Sequence, residues 1–414
     1  MRRDDFALLT SPAGHDLLQR ITPVTSRDDA VAAVNRLRKQ GYNADLVAVA
    51  AEQALLRAQA RAKFGDGALR MLLTRAGLEQ ATRADAARYH ANRMHAAGFS
   101  RVIDLGCGLG GDSVRFAEEG MSVTAVEADE VTALLAAHNL LPWSDRTEVV
   151  HATAEEYLAS RWKTAGVAQH PDASDARCAL WFDPARRTAG HKETRRVTTA
   201  DYSPALDWVF EQAARYPAGI KLGPGHDRDA LPEHAETQWV SVQGQVVELV
   251  VWTRELARPG VGRAALVVRD GVQHELTAAA DAPDAPVRDL GAYVYEPDGA
   301  VIRARLIGEV ARCARAGMLD AHVAYFTSDE HVDSPFAQAF RVRRVLPLQV
   351  KALARELRAE NIGRLEIKKR GVDIDPAQLR TQLKLRGPHG ATVILTRIGD
   401  ERVAILADRV STAN

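Results

Sequence analysis

The chain of 414 residues is 46% hydrophobic and 26% charged, with 54 Lys and Arg against 54 Asp and Glu. That length holds roughly two or three domains with sizeable cores, and the zero net charge excludes a molecule that is polybasic overall while leaving local basic surfaces open. No apolar run is long enough to span a bilayer and the start, Met1-Arg-Arg-Asp-Asp, lacks the core of a secretion signal; Cys107, Cys178 and Cys313 have neither disulfide nor metal spacing, so a reduced, soluble, cytoplasmic protein without membrane or metal is expected.

Residues 1–98 read as a helical cap domain. Ser26 can cap a helix through Gln40, with Asp28 and Asp29 in its first turn and Gly41 just past its end. Ala44 to Lys63 follows as an Ala-rich helix with Leu46, Val49, Ala50, Gln53 and Ala54 at helical spacing. Thr82 is expected to cap a third helix through Ala97, ended by Gly98. The segment Thr74 to Thr82 either packs on the sheet that follows or closes over a ligand, with Gln80 placed to touch it.

Residues 99–255 alternate strands with helices, the pattern of a parallel, doubly wound sheet. Strands are expected at 101–105, 122–126, 147–151, 178–182, 218–222 and 246–252, the last suiting an antiparallel edge strand. The first runs into Asp104-Leu-Gly-Cys-Gly-Leu-Gly-Gly-Asp112, and helical composition resumes at Ser113. Glycines let a ligand approach the backbone, and a helix start offers free N–H groups. Gly106, Gly108 and Gly111 satisfy the dinucleotide pattern G-x-G-x-x-G, so a nicotinamide or flavin cofactor is one reading. Asp104 turns the loop into Asp-x-Gly-x-Gly-x-Gly through Gly110, which resembles the first motif of class I S-adenosylmethionine (SAM) methyltransferases. SAM has a cationic sulfonium and amino group and no pyrophosphate, so an acid beside the glycines suits it. Glu127, ending the second strand, can accept hydrogen bonds from a ribose diol of either cofactor. For SAM, the expected binding residues are Asp104, Gly106, Cys107, Gly108, Gly110, Gly111, Asp112, Glu127, Ala128, Thr153 and Ala154. Such enzymes commonly carry an Asp near Thr153 for the adenine amine. A threonine stands here, so Glu155 or a backbone group would have to substitute.

The fourth strand ends in Asp183-Pro184-Ala185-Arg186-Arg187. Ligands of open α/β sheets bind beyond the carboxyl ends of the strands. The segment resembles the Asp/Asn-Pro-Pro-aromatic motif of methyltransferases acting on exocyclic amines of nucleobases, where the acid or amide side chain and the proline carbonyl accept from the amine. Asp183 and Pro184 are the expected catalytic residues, with Arg186 able to cover a base where the motif has an aromatic ring. The bland alternative is an Asp-Pro that ends a strand. Asp-Pro-x-Arg also occurs in RNA uracil-C5 methyltransferases, but these need a cysteine just past the next strand, and after Gly219–Leu222 there is only Cys313, far into the last domain. Lys221 to His226 is another rim loop, in which His226 either assists proton removal or is a bystander.

Residues 256–340 read as a linker or accessory α+β region. Pro259-Gly260 and the stretch Ala278 to Pro286 punctuate it, and Arg263 to Val268 pairs with Gln273 to Leu276 about Asp270-Gly271. A helix is expected from Glu296 through Ala316. Residues 341–414 read as a basic α+β unit: a helix from Leu346 to Glu360, a strand Leu365-Glu-Ile-Lys-Lys-Arg-Gly371, a helix capped by Asp375 with Pro376 first, and strands at 391–397 and 402–407. Between Arg341 and Arg386, thirteen Lys and Arg stand against five Asp and Glu. That excess is either a phosphate-binding footprint, with Lys368, Lys369, Arg370, Arg380, Lys384 and Arg386 as its residues, or a solvated basic face.

Taken together, the Asp104–Gly111 loop, Leu78-Glu-Gln-Ala-Thr82, Asp183-Pro-Ala-Arg-Arg187 and Leu365–Gly371 resemble actinobacterial SAM-dependent methyltransferases with a C-terminal THUMP-like domain, across nearly the whole chain. The catalytic part is also distantly similar to trimethylguanosine synthases, which methylate guanine N2, although their aromatic residues around the base are not evident. The resemblance implies a Rossmann-like class I sheet, SAM as cofactor and an RNA partner, tRNA or rRNA, because THUMP domains are RNA-binding modules. The expected reaction is direct methyl transfer to an exocyclic base nitrogen, guanine N2 first. The alternatives are an enzyme acting on a small molecule or protein, and a non-catalytic SAM- or RNA-binding protein.

Overall fold

The computed structural model describes all residues except 22, 23, 25, 166–176, 187–200 and 412–414, with backbone alone at 162–165 and 186. Its contacts group Met1–Ala235 with Val250–Arg258 as one unit, and Glu236–Leu249 with Pro259–Asn414 as a second.

In the first unit, six α-helices are described before the sheet: α1 (Arg3–Thr10), α2 (Pro12–Ile21), α3 (Arg27–Lys39), α4 (Ala44–Phe64), α5 (Arg75–Gln80) and α6 (Ala84–Ala96). Ser26 and Asp29 form the capping box of α3. Leu17, Val47, Leu56 and Leu73 share one core with Leu109 of the glycine loop. Gln53 is buried on the apolar face of α4 because its amide exchanges two hydrogen bonds with the backbone of Leu73, at 2.6 and 2.8 Å. Thr82 does not cap α6. Arg83 occupies that position without a side-chain bond, and the Thr82 hydroxyl turns to the site described below.

Five strands, β1 (Arg101–Leu105), β2 (Ser122–Glu127), β3 (Thr147–His151), β4 (Cys178–Phe182) and β7 (Ala218–Leu222), lie in the order β3-β2-β1-β4-β7, all parallel. Between β4 and β7, the two-residue strands β5 (Ala185–Arg186) and β6 (Tyr202–Ser203) pair and set Arg186 opposite Tyr202. Helices α7 (Gly111–Glu118), α8 (Glu130–Leu140), α9 (Ala154–Ala165) and α10 (Leu206–Arg215) complete the connections. The strand order reverses between β1 and β4, the topological switch point where open sheets bind ligands. The glycine loop and Asp183 are the two segments that leave β1 and β4 there.

One expectation changes in the strands that follow, and one strand is added. The 246–252 strand, β9 (Gln245–Trp252), is no edge: it has β8 (Glu236–Val242) and β7 as neighbours. β8 escaped sequence reading because its seven buried residues include Glu236, Thr237, Gln238 and Ser241, which give no apolar run. Beyond it, β10 (Arg263–Arg269) and β11 (Val272–Ala278) form the expected hairpin, with positive φ at Asp270 and Gly271.

The second unit also holds a seven-stranded sheet, β13-β14-β12-β15-β18-β17-β16. Its strands are β12 (Tyr293–Pro297), β13 (Gly317–Asp320), β14 (Val323–Ser328), β15 (Ala337–Pro347), β16 (Ile362–Lys369), β17 (His389–Ile398) and β18 (Glu401–Arg409), and only the β16–β17 pair is parallel. The single helix expected from Glu296 is instead strand β12 followed by α11 (Gly299–Arg303) and α12 (Ile307–Cys313), because Asp298 caps α11 and Arg305, at φ +59, breaks the helix. Likewise Leu346 and Pro347 finish β15, so α13 covers Val350–Ala359 only. α13 and α14 (Pro376–Leu383) bury Leu353, Leu357, Leu379 and Leu383 on one sheet face, while Tyr325, Phe340, Ile394 and Ile405 form a core on the other. Residue 341 falls inside β15, whose partners are β12 and β18.

Candidate active site

β1 delivers Asp104, buried, to the base of the glycine loop, where its Oδ2 accepts from Ser113 Oγ in α7 at 2.5 Å. Burial, then the nearby Asp112, raises its carboxyl well above the usual range, and Oδ1 has no hydrogen-bond partner among the described residues. Gly106, Gly108 and Gly110 take φ values of +92, +54 and +82, which L side chains resist. A Cβ at Gly106 would stand 3.0 Å from the Asp183 carbonyl oxygen, whereas one at Gly108 would meet nothing within 4 Å. The loop is therefore closed toward β4 and open at Gly108. Gly106 and Cys107 donate to the Val126 carbonyl at 2.9 and 3.1 Å, burial pushes the Cys107 thiol up, and Gly111 opens α7. Glu127 accepts from the backbone N–H of Gly108 and of Asp129, each at 2.9 Å. Beside it, the Ala128 carbonyl lies 3.1 Å from His151 Nε2.

Thr153 has a local reason to be threonine. Its Oγ1 accepts from the Glu156 N–H and its own N–H donates to the Glu156 carboxylate, both at 3.1 Å. That is a capping box for α9, with Ala154 buried at the first turn.

At the end of β4, Asp183 keeps 34% of its side chain exposed, and its Oδ2 lies 2.5 Å from Lys221 Nζ. The same ammonium donates to Thr82 Oγ1 at 2.6 Å and stands 3.6 Å from Asp112 Oδ2. Thr82 donates on to Asp112 Oδ2 at 2.7 Å, and His90 Nδ1 lies 3.1 Å from Asp112 Oδ1. Burial alone would raise the Asp112 carboxyl, but Lys221, then His90 and Thr82, outweigh it and hold the group well below the usual carboxylate range. Pro184 is buried, and the side chain of Arg186 lies outside the described residues. Its ladder partner Tyr202 has its hydroxyl 3.4 Å from His226 Nδ1.

Sequence reasoning named Asp183 and Asp112 but missed Lys221 and His90, and took Thr82 for a cap. One signal was present: Lys221 interrupts the strand Ala-Gly-Ile-Lys-Leu, all five residues of which are buried, and a buried lysine demands partners.

Residues 99–172 match a family described as RNA cap guanine-N2 methyltransferase, 337–409 one described as THUMP domain-like, and 2–60 a domain of unknown function. An uncharacterized S-adenosylmethionine-dependent methyltransferase of Mycobacterium tuberculosis, in strains H37Rv and CDC 1551, is 32% identical over 360 residues, covering 84% of this chain and 92% of the relative. The chain belongs to the S-adenosylmethionine-dependent methyltransferases. Its cofactor is SAM, and the dinucleotide reading of Gly106, Gly108 and Gly111 falls. The fold of this methyltransferase is shared with a Porphyromonas gingivalis W83 protein described as a putative methyltransferase, at TM-score 0.70 and 20% identity over 93% of this chain and 99% of that one.

The methyltransferase divides its six expected RNA-contacting residues into two groups. Along β16, Leu365 and Ile367 pack toward the helices, so by strand alternation Lys368 and Lys369 point to opposite faces. Lys368 Nζ lies 2.9 Å from Glu296 and 3.5 Å from Glu366, and Arg370 lies 3.8 Å from Glu296. Arg380 donates to the Leu365 carbonyl at 3.1 Å. Lys369, Lys384 and Arg386 are exposed and form no ion pair among the described residues. No helix described in the methyltransferase is long and apolar enough to cross a membrane, and no described cluster of three or more His, Cys, Asp or Glu could hold a metal ion.

Proposed function

We propose that this methyltransferase acts in the cytoplasm on an exocyclic nitrogen of an RNA base, guanine N2 first, in tRNA or rRNA. The observation that carries the reading is Asp183: it leaves β4 against Gly106 and presents a partly exposed carboxylate at the switch point. There its carboxylate and the Pro184 carbonyl can accept from an amine and aim the nitrogen lone pair, so catalysis rests on alignment without a covalent intermediate. SAM supplies, when bound, an electrophilic methyl group on its sulfonium. The residues of the loop fit that cofactor. Gly108 leaves open space where a side chain would stand, and Glu127 retains carboxylate lone pairs beyond its two backbone bonds for a ribose diol. The unpartnered Oδ1 of Asp104 suits a cationic amino group. Asp183 takes the amine hydrogen bond and, once the nitrogen carries the methyl group, its proton, which passes to water. The RNA part of the reading is supported by the guanine-N2 and THUMP-like matches and by the exposed Lys369, Lys384 and Arg386.

The test is transfer from tritiated SAM to RNA of a strain lacking the protein, followed by mass spectrometry of the nucleosides. Guanosine methylated at N2 is expected. Transfer confined to protein or small-molecule fractions overturns the reading. Asp183→Ala should leave SAM affinity nearly intact and slow transfer roughly ten- to a hundred-and-fifty-fold, from a hydrogen bond to a charged acceptor of about 1.5–3 kcal/mol. Asp183→Asn should be milder, since its carbonyl still accepts. Loss of SAM binding in the alanine variant, with thermal stability kept, would remove Asp183 from the acceptor side.

A further inference from the structure

We infer that Lys221 is a positioning residue for methyl transfer, fixing the Asp183 carboxylate in the orientation and ionised state that an acceptor amine requires. The inference rests on the reading of Asp183 as the amine acceptor and extends it to a residue on another strand.

β7 is buried along all five residues, and Lys221 is its one charged member. With 10% of its side chain exposed, the ammonium has lost most of its hydration, a large cost unless acceptors replace the water. Among the described residues, acceptors for its three N–H bonds include Asp183 Oδ2 at 2.5 Å, Thr82 Oγ1 at 2.6 Å and Asp112 Oδ2 at 3.6 Å. An ammonium has no lone pair, so Thr82 must accept from Lys221 and donate its own proton to Asp112. The direction of the chain is thereby set, Lys221 to Thr82 to Asp112, with His90 holding the second Asp112 oxygen at 3.1 Å. Residues before α6 and in the first turn of α7 thus anchor the ammonium, and the ammonium grips Asp183. Gripping one carboxylate oxygen fixes the plane in which Asp183 presents itself.

Charge makes the same demand. Among the described residues, the groups near this pair include Asp104 on β1, Asp112 on α7, His90 on α6 and Cys107 in the loop, with Lys63 on α4 and Arg83 before α6 farther out. Asp112 and Asp183 both lie against the Lys221 ammonium. Take that cation away and each carboxylate raises the proton affinity of the other. A protonated Asp183 would donate a hydrogen where the amine needs an acceptor.

The experiment follows transfer from SAM to RNA of the deletion strain between about pH 5.5 and 9, with SAM affinity measured by calorimetry in parallel. Lys221→Met should slow transfer about ten- to a hundredfold at pH 7 and regain rate as pH rises, its acid limb moved up by about one unit or more. SAM affinity should stay within about threefold, so the loss falls on kcat and not on cofactor binding. Lys221→Arg, which keeps the charge, should recover most of the rate. A loss equal at every pH, a loss of SAM affinity in step with rate, or an unchanged rate would each overturn the inference. If Lys221→Met does not fold, Thr82→Val must move the acid limb in the same direction, and an unmoved limb overturns the inference. Should the wild type transfer no methyl to RNA, the substrate reading fails by itself. A thermal double-mutant cycle of Lys221→Met with Asp183→Asn then decides the coupling: non-additive losses support it and additive ones overturn it.

Discussion

Asp104 and Asp112 flank one loop and are both buried, yet their surroundings shift the two carboxyls in opposite directions. Asp104 has a single hydroxyl partner and a neighbouring carboxylate, so burial wins and its carboxyl is raised well above the ordinary range. For Asp112, Lys221, His90 and Thr82 overcome burial and hold it ionised. The two therefore load stability on pH with opposite signs. Asp112 binds fewer protons folded than unfolded, so its contribution is present above about pH 4 and is lost as pH falls through its lowered folded value. Asp104 binds more protons folded than unfolded from about pH 4 up to its raised value, so stability drains as pH rises through that window. Thermal unfolding of wild type and Asp104→Asn should accordingly show a difference that shifts toward the asparagine variant as pH rises from about 4 to 8. A difference constant in pH would mean that Asp104 is ionised in the folded protein.

α5 has six residues, too few to hold together in water alone, and its neighbours supply what it lacks. Thr74 Oγ1 accepts from the Gly77 N–H at 3.0 Å at its start. At its other end Lys63 Nζ donates to the carbonyls of Leu78, Glu79 and Ala81 at 2.6, 2.8 and 3.0 Å. Gly77 permits close contact with the loop, since a Cβ there would come within 2.7 Å of the Leu109 side chain. Gln80 is exposed at the end of this helix. Lys63→Met would leave three carbonyls to water or to nothing, a cost of about 1–3 kcal/mol and a Tm lower by a few degrees, while Lys63→Arg should recover part of it. An unchanged Tm would mean that water caps α5 equally well.

At the scale of the molecule, methyl transfer is proposed for the first unit and phosphate contact for the second. Paired cations contribute less to polyanion binding than free ones, because an existing carboxylate partner must first be given up. Neutralising Lys369, Lys384 or Arg386 to Gln should flatten the salt dependence of tRNA affinity by about one unit of slope each. Lys368→Gln should do less, with Glu296 already 2.9 Å from its ammonium. Anisotropy titrations across salt concentrations measure both. Equal slopes for wild type and all four variants would move the RNA contact elsewhere.

What the sequence by itself determined were the features whose causes are local. The five parallel strands were legible as short apolar runs, the cofactor loop as glycines that must take positive φ behind an acid, and the caps of α3 and α14 as Ser26 and Asp375. What only the tertiary structure decided were features whose cause lies far along the chain. Lys221 reaches Thr82 across 139 positions and Thr82 reaches Asp112 across 30, so no window of sequence holds both ends of the network that grips Asp183. β8 stayed hidden because it buries polar side chains that the fold satisfies; the Gln238 amide, for one, donates to Glu275. Alternation along β16 was open to sequence reading, but the neutralising Glu296 sits on β12, more than sixty positions earlier. Apolar periodicity and backbone chemistry act within a few residues and can be read there. Charges and hydrogen bonds in a low-dielectric interior act between whichever groups the fold brings together, and that assignment exists only in three dimensions.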